Sequence, residues 1–164
     1  MRNIALARID ERLIHGQVYM YWTKVCKSNT AVIIDDPVAK DSFLSNFIKK
    51  AAPKGMKCLI FNSEDAVKYL LEDPEPGEII ITLAKSPLYY EKLIEGGIPF
   101  EKIIIGNMAF RGKRKYLTKN AYVDEEEKEC LKRMIAKGID VTYQTIPIDP
   151  EFKIKDYIDK VKFD

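Results

Sequence analysis

The chain has 164 residues, 46% of them hydrophobic, enough for one domain that buries roughly 70% of its unfolded surface. Its 27 Lys and Arg against 25 Asp and Glu leave a net charge of +2, far from the basic excess of a phosphate-reading nucleic-acid binder. No apolar run approaches the roughly 18 residues of a bilayer span, and the opening stretch lacks the long apolar region of a signal peptide. These features lead to the expectation of one cytoplasmic domain over residues 1–164.

The elements follow in chain order. Asn3 to Ile9 reads as a strand, Gly16 to Lys27 as a helix, and Ala31 to Asp35 as a second strand. A helix over Val38 to Ala51 is stopped by Pro53 and Gly55. Met56 to Phe61 is a third strand, and Asn62-Ser63-Glu64-Asp65 caps a helix through Ala66 to Leu71. After the turn residues Asp73 to Gly77, Glu78 to Leu83 is the fourth strand. Ser86-Pro87 opens a helix that Gly96-Gly97 closes before the strand Lys102 to Ile105. A basic loop through Arg111-Gly112-Lys113-Arg114-Lys115 precedes a helix that starts at Asp124-Glu125-Glu126-Glu127 and ends at Gly138. Ile139 to Ile146 has strand composition, and Asp149-Pro150 leads into a short C-terminal helix. This alternation predicts an α/β fold, an open and mainly parallel sheet of about six to seven strands with helices on both faces.

In such a sheet, chemistry collects beyond the carboxyl ends of the strands, here the loops Asp10 to Gly16, Asp35 to Lys40, Ala84 to Pro87 and Gly106 to Lys115. The first holds His15, the only histidine, just before a predicted helix start and close in sequence to Arg8 and Arg12. Guanidinium groups and helix-start N–H groups suit an anion, and a neutral imidazole has the lone pair to attack a phosphoryl group. Asp10 would then orient a ring N–H or Arg12. From position alone, the commoner reading of a lone His beside Asp and Arg is a capped or salt-bridged surface residue.

Other features carry less. Adjacent Asp10 and Glu11 point apart and read as partners of Arg8 and Arg12 rather than an acid/base pair. Gly106 to Gly112 fits no nucleotide motif, and reads either as a solvated turn or as a second anion-facing wall with Arg111 on it. Tyr19, Met20, Tyr21 and Trp22 read as core packing or as a docking surface. The widely spaced Cys26, Cys58 and Cys130 offer neither a disulfide framework nor a metal motif, so no metal is expected, and the function expected below calls for no organic cofactor. Ile14-His15-Gly16 lacks the Arg-His-Gly start and the second His of a histidine phosphatase or mutase.

The run Ala7-Arg8-Ile9-Asp10-Glu11-Arg12-Leu13-Ile14-His15-Gly16-Gln17-Val18 closely resembles the opening motif of the mannose/fructose/sorbose family IIB components of the bacterial phosphotransferase system. Further resemblance, in family order, lies in residues 34–41, Lys50 to Gly55, Glu95 to Pro99 and Gly106-Asn107-Met108-Ala109-Phe110-Arg111. The chain differs at Glu11, where many members carry Asp, and after Arg111, where Gly112-Lys113-Arg114-Lys115 replaces a common Pro-Gly. The resemblance implies a transferase in which His15 accepts a phosphoryl group from a IIA phosphohistidine and passes it to a sugar held by membrane IIC and IID partners. It implies that Asp10 orients the ring and Arg12 holds phosphoryl oxygens, with Arg8, Gly16, Gln17, Phe110 and Arg111 binding or supporting the group. Tyr19, Met20, Trp22 and Lys40 would serve partner docking. The expected protein is peripheral to a membrane complex and able to form a homo-oligomer, the alternative being a non-catalytic regulatory module of the same fold.

Overall fold

The computed structural model describes the backbone of residues 1–164 and the side chains of all but Gln17 and Val18. The chain runs β1 (Ile4–Asp10), α1 (Gly16–Cys26), β2 (Thr30–Ile34), α2 (Asp36–Lys40), α3 (Ser42–Lys50), β3 (Lys57–Phe61), α4 (Ser63–Leu71), β4 (Ile80–Ala84) and α5 (Pro87–Glu95). It continues through β5 (Lys102–Asn107), β6 (Lys115–Thr118), β7 (Ala121–Val123), α6 (Glu125–Ala136), β8 (Asp140–Tyr143) and β9 (Phe152–Lys153), with two short 3-10 turns after β9. Strands β3-β2-β4-β1-β5-β8-β9 form one sheet, parallel except for β9, which runs antiparallel to β8. The central strands β2 and β4 are buried along their whole length, Thr30 and Thr82 included, as largely apolar strands covered on both faces are.

Helices cover both faces. Tyr19 and Trp22 of α1 pack with Ala31, Ile33, Ile81 and Leu83 on one side, joined by Ile48 of α3. On the other side Ala66 and Leu70 of α4, Tyr90 and Leu93 of α5, and Cys130, Leu131 and Met134 of α6 pack onto Val32, Ile34, Ile103 and Ile105. From β1 the chain crosses toward β2 on one side of the sheet, and from β4 it crosses β1 to reach β5 on the other. Strand order therefore reverses beside β1. Asp10 lies level with Asn107 of β5, and beyond that pair the loops 11–15 and 108–114 part.

Four local expectations are corrected. The helix expected over Val38 to Ala51 is two, because Asp41 is extended (φ −106°, ψ 99°) and its carboxylate accepts the Leu44 N–H of the second. The segment after Lys115 forms the β6–β7 hairpin, in which Tyr116 lies opposite Tyr122. The last parallel strand stops at Tyr143 because the carbonyls of Gln144 and Thr145 turn to the Arg8 guanidinium. The expected C-terminal helix is β9 followed by the 3-10 turns Ile154–Asp156 and Ile158–Lys160.

Candidate active site

The floor of the β1–β5 crevice is built on Asp10, the last residue of β1 and only 2% exposed. Its Oδ1 accepts the Arg12 backbone N–H and the Arg12 Nε–H, both at 3.0 Å, and its Oδ2 accepts Arg12 Nη2 at 3.0 Å. The two side-chain bonds form a fork that fixes the guanidinium plane, a geometry no lysine could reproduce. From below, Arg8 Nη2 stands 3.5 Å from Asp10 Oδ2 while its guanidinium donates to Gln144 O (2.8 Å) and Thr145 O (2.9 Å). Its carbon lies 5.1 Å from the centre of the Trp22 ring. Burial lowers the Arg8 pKa, opposed by the Asp10 charge, whereas hydrogen bonds to Asp10 raise that of Arg12.

His15 occupies the position just before α1, in extended conformation (φ −130°, ψ 98°), and its side chain makes no capping bond. The other α-helices all carry a capping acceptor there, Asp35, Asp41, Asn62, Ser86 and Asp124. No acidic residue enters the first turn of α1, and the Tyr19 N–H bonds back to His15 O at 3.2 Å as the helix begins. The amides before Tyr19 are the open end of the helix, where partial positive charge gathers. An exposed imidazole, an uncapped helix start and an arginine clamped by a buried carboxylate thus converge on one loop. Chemically, an imidazole lone pair can serve as a nucleophile, and a guanidinium with open helix amides can donate to an anion.

The cavity that His15 lines with Arg8, Asp10, Leu13, Tyr19 and Trp22 measures only about 10 Å³, no more than one water occupies. Wider hollows measure about 400 Å³ between Ile4, Leu6 and Phe100 at the other end of the sheet and about 490 Å³ between Arg111, Arg114, Glu125 and Phe163, along the loop after β5. The pocket beside His15 is too small to hold a small-molecule substrate, while His15 itself is exposed.

The opposite wall is the loop after β5. Glu11, tied in place by its N–H to Asn107 O (3.2 Å), takes the Ala109 N–H on Oε2 at 3.2 Å. Its Oε1 faces both Arg111 Nη2 at 3.1 Å and Arg114 Nη1. Arg114 is buried and forks onto Glu127 (Nε to Oε2 2.9 Å, Nη2 to Oε1 2.6 Å), and Glu127 also accepts the Ser86 hydroxyl at 3.1 Å. Burial works to lower the Arg114 pKa, but its bonds to Glu127 and Glu11 leave it raised. Phe110 projects 69% exposed, edge-on to Tyr122 at 5.5 Å between ring centres.

The structure alters several expectations of the sequence. Asp10 orients Arg12 and not the imidazole, and among the described residues the His15 ring has no hydrogen-bond partner. Tyr19 and Trp22 are 4% and 5% exposed and pack in the core, with the Trp22 indole N–H given to Thr145 O at 2.9 Å, so neither offers a docking surface. Met20 is 39% exposed, and Lys40 is also on the surface. Gly16 begins α1 at φ +40° with open space around it, and the Gln17 side chain lies outside the described residues. Arg114, which the sequence placed in a basic loop, is instead buried against Glu127, a residue legible in the sequence only as one of the acids at a helix start. Among the described residues no group of three or more His, Cys, Asp or Glu could hold a metal, and no helix is long and apolar enough to cross a membrane.

A family model, that of the sorbose-subfamily IIB component of the PTS system, matches residues 4–164. The mannose-specific EIIAB component of Escherichia coli K12 is 32% identical over 158 residues, 96% of this chain and 49% of that protein. The chain thus spans about half the length of that relative. The sorbose-specific EIIB component of Lacticaseibacillus casei is 32% identical over 96% of both chains. The crystal structure of the IIBSor domain of the Klebsiella pneumoniae sorbose permease superposes with a TM-score of 0.89 at 31% identity, covering 98% of this chain and 99% of that one.

Proposed function

The chain belongs to the sorbose-subfamily IIB components of the mannose/fructose/sorbose phosphotransferase family, and we propose that it carries a phosphoryl group on His15 from a IIA donor to a sugar bound by membrane partners. One observation carries this reading: the lone imidazole stands at an uncapped helix start, beside an arginine held by Asp10, and the cavity it lines is only water-sized. A surface nucleophile of this kind meets its phosphoryl group on another protein.

In the first transfer a neutral ring nitrogen of His15 bonds to phosphorus as the N–P bond of the donor phosphohistidine breaks. The electron pair of the broken bond returns to the donor imidazole. Similar bonds are exchanged, so positioning and charge stabilisation do most of the catalysis. Arg12 and the first-turn amides of α1 face the equatorial oxygens, Asp10 and Arg8 set the position of Arg12, and Arg111 and Phe110 form the far wall. In the second transfer the phosphoryl group passes to a sugar hydroxyl, whose proton is taken by a base on the IIC or IID side. Met20 and Lys40 remain as exposed docking residues beside α1 and α2. The chain works as one domain in the cytoplasm, at the face of the membrane complex.

The test is discharge. Phosphorylated protein is mixed with membranes holding the cognate IIC and IID components and a panel of sugars. Loss of protein-bound phosphate in step with sugar phosphate formed supports a carrier. Phosphate that stays on the protein with every sugar contradicts it and favours a regulatory module.

A further inference from the structure

We propose that Glu11 is a shared anchor from which Arg111 is released to the phosphoryl group on His15 while Arg114 stays behind, an inference that rests on His15 being the phosphoryl acceptor. Two guanidinium groups meet one oxygen of Glu11, but they are held very differently. Arg114 is buried and is fixed as well by Ala109 O (3.0 Å) and by two bonds to Glu127 (2.9 and 2.6 Å). Arg111 is 59% exposed, and among the described residues Glu11 is its one ion-pair partner. The Glu11 side chain itself is only 11% exposed, and its other oxygen takes the Ala109 N–H.

The charges around the crevice make this arrangement useful. Before transfer, the guanidinium groups of Arg8, Arg12, Arg111 and Arg114 face the carboxylates of Asp10, Glu11 and Glu127, an excess of one positive charge. A phosphoryl dianion on His15 reverses the sign. Arg111 is the group that can answer, because an exposed ion pair is weak and easily exchanged for a charge-assisted bond to phosphate. Its departure leaves Glu11 still paired with Arg114, a cation that Glu127 shares. Arg114 goes on holding Glu11, where a nearly buried carboxylate left alone would hold Arg111 back. Glu11 lies in the same loop as His15, so Arg111 changes partner without the wall being rebuilt. Glu11 and Arg114 are therefore positioning residues, acting through Arg111.

The experiment measures how phosphate partitions at equilibrium between a phosphorylated IIA donor and this protein. Arg111→Gln should lower the share on His15 about tenfold, the scale of a charge-assisted bond. Glu11→Gln should raise it about two- to fivefold, because the competitor for Arg111 is weakened. The double variant should match Arg111→Gln alone, since Glu11 has no effect once Arg111 is gone. Thermal melts confirm that each variant is folded. A share that falls in Glu11→Gln, or effects that simply add, would overturn the anchor and leave His15 as acceptor. Wild-type protein that takes no phosphate from the donor would overturn both.

Discussion

A Cβ placed on Gly106 would lie 1.9 Å from Arg8 Nη2, so β5 passes Arg8 as bare backbone. The contact matters beyond packing, because Arg8 joins Asp10 to the carbonyls of Gln144 and Thr145 and so fixes the floor on which Arg12 rests. Gly106→Ala should cost roughly 1–3 kcal/mol, the usual range for an overpacked core. It should also slow phosphoryl acceptance by displacing Arg12. Gly16→Ala meets open space, and its left-handed backbone alone should cost about 1 kcal/mol. Urea midpoints of the two variants check the difference, and equal midpoints would contradict the close approach.

His15 stands where the other helices carry a capping acceptor. His15→Asn should therefore supply the missing cap and stabilise the protein by about 0.5–1 kcal/mol while abolishing phosphoryl acceptance. His15→Ala should abolish acceptance with no such gain. Thermal denaturation beside a labelling assay separates the two, and a less stable His15→Asn protein would show that the open helix end is not a conflict between stability and function.

The thiols should be poor nucleophiles. Burial pushes Cys58 up to about 11 and Cys130 up to about 12, and raises Cys26 as well. At pH 8 a thiol of pKa 11 is about one part in a thousand thiolate. Alkylation by iodoacetamide should be slow in the folded protein, rise with pH, and accelerate on unfolding. Fast labelling of Cys58 or Cys130 at pH 7 would contradict their protonated state.

Glu91 is held below the ordinary carboxyl range by its hydrogen bonds from Arg133, at 2.6 and 3.0 Å, against the opposing effect of partial burial. Its folded pKa lies below the unfolded one. The pair's stabilisation is therefore present above pH about 4.5 and is lost as the pH falls through the folded value. Glu91→Gln should be less stable than wild type at pH 7, with the gap closing on acidification. A gap that stays constant in urea titrations from pH 7 to 3 would contradict this assignment.

How far the sequence spoke depended on whether the cause was local. Apolar blocks such as Thr30–Ile34 and Ile80–Ala84 announced the central strands, and Asn62, Ser86 and Asp124 announced helix starts that the structure caps with those very side chains. The open helix end at His15 was legible for the same reason, since His stands where a capping residue is usual. Asp41 misled because one residue with extended backbone breaks an apolar periodicity that otherwise continues through Val38 to Ala51. The wall formed by Glu11, Arg114 and Glu127 was hidden, because its members lie 103 and 13 residues apart and meet only when β1, β5 and α6 are assembled. Trp22 and Tyr19 could not be assigned between core and surface from a crowded aromatic run. Which face of α1 lies on the sheet is decided by the sheet.

The most direct measurement is phosphoenolpyruvate-dependent labelling of the purified protein through the general phosphotransferase proteins and a cognate IIA, followed by mapping of the modified residue. The account predicts one acid-labile phosphate, on His15, absent from His15→Ala. Phosphate on another residue, or none while the IIA donor is demonstrably phosphorylated, would contradict it.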